Sequence, residues 1–158
     1  MRRYIRRYLD QKINSLEETI IVITGANSGI GLSLTKECVY KGAKVIMACR
    51  SLKRAESARE QILEEYPKAK LDIMIYDQAS FESIKAFATL LMTKYPKINA
   101  FVFNAGIFAP KSNVKTQEGY DLTIGTNYLG TFYLTTLLAD YFAVQNDFIA
   151  VYVGSLVH

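Results

Sequence analysis

A chain of 158 residues, half of them hydrophobic and 22% charged, is sized for one globular domain and too apolar to be a disordered one. Its two cysteines, Cys38 and Cys49, are too few for a disulfide scaffold and fit a reducing compartment; with His158 as the single histidine they make no metal-ligand cluster. The net charge of +4 sits at one end, where Arg2, Arg3, Arg6, Arg7 and Lys12 face only Asp10, so a nucleic-acid-binding surface over the whole domain is not expected.

Within residues 1–14, Tyr4, Ile5, Tyr8, Leu9 and Ile13 recur at roughly helical spacing. Two readings are open: a short amphipathic helix packed on the domain, or a weak contact with an anionic membrane surface or a partner. No apolar run follows the arginines, which argues against a signal peptide. The expected organisation is a basic segment over 1–14 and one domain over 15–158, in the cytoplasm, with peripheral membrane attachment as the alternative location.

Residues 19–24, TIIVIT, are β-branched and uniformly apolar, as for a parallel strand buried on both faces. Gly25, Gly29 and Gly31 follow, and then Leu32, Leu34, Val39 and the stop signal Gly42 outline a helix of about three turns. At such a strand-turn-helix the glycines admit a pyrophosphate close to the backbone, and the helix N-terminus attracts its charge. Residues 44–48 read as a second strand, 51–66 as a helix with Ser51 as N-cap, and 71–76 as a third strand. Residues 80–95 form a helix with Phe81, Ile84, Phe87, Ala88 and Leu91 on one stripe; 98–103 are the fourth strand, 116–144 contain a long helix, and 148–154 are the fifth strand. The apolar stretch 128–144 contains Asp140 and three threonines and reads as a helix buried on two sides rather than a membrane span. The alternation predicts an α/β domain with a doubly wound parallel sheet in the order 3-2-1-4-5, its ligand crevice at the carboxyl ends of strands one and four.

TGANSGIG, Thr24 to Gly31, resembles the cofactor loop of the short-chain dehydrogenase/reductase family, T-G-x-x-x-G-x-G. Further matches follow in order: Asn104, Ala105 and Gly106 after the fourth strand, Asn127 within TNYLGTF, and Ser155 after the fifth strand. ACRSLKRAES and EGYDLTIGTNYLGTFYLTTLL are similar to its retinol-dehydrogenase-like branch. The resemblance implies a Rossmann fold and an alcohol/carbonyl oxidoreductase dependent on a nicotinamide dinucleotide. It places Thr24, Gly25, Asn27, Ser28, Gly29, Ile30 and Gly31 around the pyrophosphate, Asp77 beside the adenine, Asn104, Ala105 and Gly106 along the cofactor, and Asn127 and Ser155 in the catalytic set. It also implies a homodimer through the long helix. Two departures stand out: Phe103 replaces the usual Asn before N-A-G, and Gln78 follows Asp77 where an apolar residue is usual.

Cofactor choice turns on the end of strand two, where an NAD site places a carboxylate for the ribose 2′-hydroxyl. Cys49 and Arg50 stand there instead, and Arg50, with Lys53 or Arg54 in support, suits the 2′-phosphate of NADP. The family's proton donor is a Tyr a dozen or so residues after the Ser, followed four residues later by a Lys; after Ser155 come only Leu156, Val157 and His158. Tyr8/Lys12, Tyr40/Lys44 and Tyr66/Lys70 have the spacing but not the place. The expectation is therefore a cofactor-binding portion that lacks the last strands and is inactive as it stands. A non-catalytic nucleotide-binding module, or a partner of a full-length relative, is the alternative, and a peripheral membrane interaction protein a third.

Overall fold

The computed structural model describes residues 15–108 and 114–154. The basic segment 1–14 and Ser155 lie outside them.

Strands β1 (Ile20–Thr24), β2 (Lys44–Cys49), β3 (Lys70–Ile75), β4 (Ala100–Phe103) and β5 (Ile149–Tyr152) make one parallel sheet in the order β3-β2-β1-β4-β5, as the alternation of segments predicts. The connections hold α1 (Gly29–Tyr40), α2 (Leu52–Glu65), α3 (Phe81–Lys94), α4 (Leu122–Ile124), a π-helical turn (Gly125–Gly130) and α5 (Thr131–Ala143). The inner strands β1, β2 and β4 are predominantly apolar because each contributes to two cores, whereas β5 is exposed along its length. Val22, Ile46, Phe101 and Phe103 meet Phe87 and Leu91 of α3 and Leu134 and Leu138 of α5. Ile21, Ile23, Val45 and Met47 meet Cys38 and Val39 of α1 and Ile62 of α2 on the other face. Full burial of a side chain such as Ile23 stabilises the fold by about 1.5–3 kcal/mol.

Ser51 and Ser80 cap α2 and α3, accepting from the N–H groups of Arg54 and Ser83 at 3.4 and 3.3 Å. The expected long helix within 116–144 is instead interrupted. It starts at Leu122 under an Asp121 cap and widens into the π-helical turn before α5. Close approach at both ends of that turn accounts for its glycines: a Cβ on Gly125 would lie 2.2 Å from Thr116 Cγ2, and one on Gly130 2.2 Å from the Gln78 carbonyl oxygen. Burial on two sides is also corrected. In α5 only Leu134 and Leu138 are buried, because a single face meets α3 and the sheet, while Phe132 is 62% exposed. Among the described residues no helix is long and apolar enough to cross a membrane.

At the amino ends of the strands, Lys44 pairs with Asp72 at 2.8 Å and the Tyr95 hydroxyl donates to the same carboxylate. Burial disfavours the ionised Asp72, but these two donors outweigh it and hold the carboxyl below the ordinary aspartate range. A carboxyl lowered in the folded state contributes stability that is complete at neutral pH and is lost as pH falls through that lowered value. Asp72→Asn should therefore shallow the acid limb of a urea-denaturation series, and, with both partners about a third exposed, cost less than about 1 kcal/mol at neutral pH. An unchanged acid limb would assign that limb to other carboxylates.

Candidate dinucleotide site

The crevice opens where the strand order reverses, between β1 and β4, and the glycine loop forms its near wall. Gly25 (φ +67°) takes a left-handed turn and its N–H donates to the Ala48 carbonyl at 2.8 Å, so the chain leaves β1 beside the end of β2. Gly31 has a different task. A Cβ there would lie 2.3 Å from the Gly25 carbonyl oxygen and 2.6 Å from Asn104 Nδ2, so only glycine lets α1 rest on the loop. Gly29 (φ +52°) faces open space.

The Ser28 side chain makes no capping bond to α1, unlike Ser51, Ser80 and Asp121 at their helices. The first N–H groups of this twelve-residue helix are thus left for another acceptor, and Ser28, Gly29 and Ile30 around them are exposed. Donors without a side-chain acceptor at a positive helix end, under an open glycine turn, fit the pyrophosphate of a dinucleotide.

Thr24 acts behind the wall rather than on it. Fully buried, its hydroxyl oxygen accepts from the N–H groups of Asn104 and Ala105, both at 2.9 Å, and its carbonyl accepts from Asn104 Nδ2 at 2.9 Å. The glycine loop and the Asn104–Gly106 strip are therefore one rigid piece. A cavity of about 330 Å³ lies against it. Gly25, Asn27, Ser28 and Ile30 line one side, Arg50 just past β2 and Arg54 in the first turn of α2 another, Asp77 the end of β3, and Asn104, Ala105 and Gly106 the floor. Thr24 and Gly31 shape the cavity from behind, and neither lines it.

Arg50 is exposed at the mouth of this cavity, and neither of the ion pairs between described residues, Lys36 with Glu65 and Lys44 with Asp72, involves it. Cys49, next to it, is buried under the glycine loop. Burial pushes its thiol up to about 11, against the opposing pull of backbone N–H groups from Ala26 and Asn27, so it packs as a neutral side chain. Asp77 accepts from the Ala79 N–H at 3.0 Å, which turns the chain out of β3 and holds the carboxylate at the rim.

The Asn127 side chain bonds across to another segment rather than to its own helix. In the π-helical turn its Oδ1 accepts from the Ile107 N–H and its Nδ2 donates to the Ile107 carbonyl, both at 2.9 Å. This two-way clamp holds the strip that follows Asn104–Gly106 to the helix. Sequence reading missed the lining residues Ala48, Tyr76, Ile107 and Thr126, and recorded Gln78 only as a departure. The polar side chain at 78, beside Asp77 and after an apolar strand, was the available signal.

Tyr40, Tyr66 and Lys70 border a groove at the opposite, amino ends of the strands, together with Gly42 and Pro67. The described members of the Tyr-x-x-x-Lys pairs are therefore remote from the crevice; Tyr8/Lys12 lies outside the described residues.

Residues 19–157 match the family described as short chain dehydrogenase. The chain is 43% identical over 125 residues to the WW domain-containing oxidoreductase of Gallus gallus, covering 79% of this chain and 30% of that protein. It is 38% identical over 129 residues to retinol dehydrogenase 14 of Mus musculus, covering 75% and 38%. The structure of an oxidoreductase, yciK from E. coli, superposes with a TM-score of 0.65 at 25% identity, over 80% of this chain and 53% of that one. Fold, glycine loop and sequence agree: the chain belongs to the short-chain dehydrogenase/reductase family, which binds nicotinamide dinucleotides. It spans between 30% and 38% of the length of these two curated relatives.

Proposed function

We propose that this domain binds NADP and serves an oxidoreductase acting on an alcohol or carbonyl substrate. The observation that carries the cofactor choice is that Arg50, just past β2 where a carboxylate would select NAD, lines the cavity together with Arg54 of the first turn of α2. In this reading the uncapped N–H groups of α1 hold the pyrophosphate, Asp77 borders the adenine, and the Asn104–Gly106 strip supports the nicotinamide half. The bound nicotinamide supplies or accepts the hydride. Asn127, clamped to Ile107, fixes the wall next to the reacting atoms, and Ser155 is the group that polarises the substrate oxygen.

Reduced, buried Cys38 and Cys49 suit a cytoplasmic protein, residues 1–14 carry the charge for a weak contact with anionic lipid, and the exposed rings of Tyr128 in the π-helical turn and Phe132 in α5 suit a homodimer contact.

The test is a fluorescence titration with NADPH and NADH. NADPH should bind more tightly, and Arg50→Ala should weaken NADPH by about 10- to 100-fold, the worth of a charge-assisted bond, with little effect on NADH. Equal affinities in the unsubstituted protein, or equal losses on Arg50→Ala, would refute the assignment.

A further inference from the structure

Gln78 is buried to 5% exposure, and every polar atom of its side chain is engaged. Its Oε1 accepts from the Tyr76 hydroxyl at 2.9 Å. Burial, with Asp77 nearby, raises the Tyr76 phenol far above neutrality, so this donor keeps its proton. The acceptor role orients the carboxamide and aims Nε2 at three oxygens: the Thr126 carbonyl at 2.7 Å, the Ala105 carbonyl at 3.0 Å and the Thr131 hydroxyl at 3.1 Å. Two hydrogens serve three acceptors, so the site is fully committed to donation. Thr131 in turn donates to the Asn127 carbonyl at 3.2 Å. Gly130 accommodates the assembly, since a Cβ there would also lie 2.9 Å from Gln78 Cγ.

The two segments joined are the strip under the crevice and the π-helical turn that carries Asn127. An apolar residue at 78 would leave the Ala105 and Thr126 carbonyls and the Tyr76 hydroxyl without this partner. We propose that Gln78 is a positioning residue of the cofactor crevice: its carboxamide sets the π-helical turn against the strip and so registers the Asn127–Ile107 clamp at the nicotinamide end. The statement about the nicotinamide end rests on the dinucleotide reading above; the statement about the clamp does not.

Two measurements on Gln78→Leu separate these. In the free protein, amide hydrogen exchange at Ile107, whose N–H donates to Asn127, should accelerate about tenfold while Val22 in β1 is unchanged. In titrations, NADPH should bind about tenfold more weakly, whereas 2′,5′-ADP, which lacks the nicotinamide half, should change less than about twofold. Unchanged exchange at Ile107, or equal acceleration at Ile107 and Val22, would overturn the positioning role. Equal losses for the two ligands would overturn its restriction to the nicotinamide end. If the unsubstituted protein bound neither ligand, the dinucleotide reading would fall while exchange still decided the clamp. Should Gln78→Leu fail to fold, Thr131→Val, which removes the hydroxyl between Gln78 and Asn127, is expected to accelerate Ile107 exchange about threefold, and no acceleration would overturn the proposal.

Discussion

Gly31→Ala is expected to remove measurable NADPH binding and to destabilise the domain by about 1–3 kcal/mol or more. The added methyl would meet the Gly25 carbonyl oxygen at 2.3 Å and its carbon at 2.9 Å, backbone atoms with no rotamer through which to withdraw. Relief requires lifting α1 from the loop, which separates the helix N-terminus from the turn that together would hold the pyrophosphate. Gly29→Val is the informative contrast. Nothing lies within 4 Å of its added Cβ, so the cost there is the positive φ of +52° and the obstruction of the crevice. Thermal denaturation with NADPH titration should show both variants weak in binding and Gly31→Ala the less stable. Wild-type stability and affinity in Gly31→Ala would refute the packing argument.

The second large effect concerns turnover. A polypeptide of residues 1–158 alone should reduce carbonyls at least about 10²- to 10⁴-fold more slowly than a family enzyme, the usual worth of a positioned acid or base. The family resemblance puts the proton-donating Tyr and its Lys beyond Ser155, and among the described residues that line the crevice Tyr76 is the one tyrosine and there is no lysine. Tyr40 and Tyr66 border the remote groove. Tyr76 does line the crevice, but burial raises its pKa away from neutrality and its proton is committed to Gln78. Appending a segment with Tyr-x-x-x-Lys should restore turnover, and Ser155→Ala in that longer protein should depress it while sparing cofactor affinity. Robust turnover by the 158-residue polypeptide, indifferent to Ser155→Ala, would overturn the assignment of the chemistry.

What the sequence determined by itself was local or periodic. Mainly apolar runs marked the strands, Ser51 and Ser80 marked helix starts, and Gly25, Gly29 and Gly31 marked the turn, because each signal depends on neighbours within a few positions. The strand order followed from alternation and the handedness of crossovers. Tertiary structure decided the roles of polar side chains whose partners lie far along the chain. Thr24, grouped by its motif with the cofactor loop, instead ties β1 to Asn104 and Ala105, 80 and 81 residues away. Asn127 leaves its own helix for Ile107, and the long helix yields a π-helical turn where Gly125 and Gly130 let other segments come close. Gln78, an odd polar residue in the sequence, serves acceptors 27, 48 and 53 residues distant. Hydrophobic periodicity records which face a residue turns inward; it carries no record of which distant carbonyl a buried amide will satisfy, and that pairing exists only once the layers have packed.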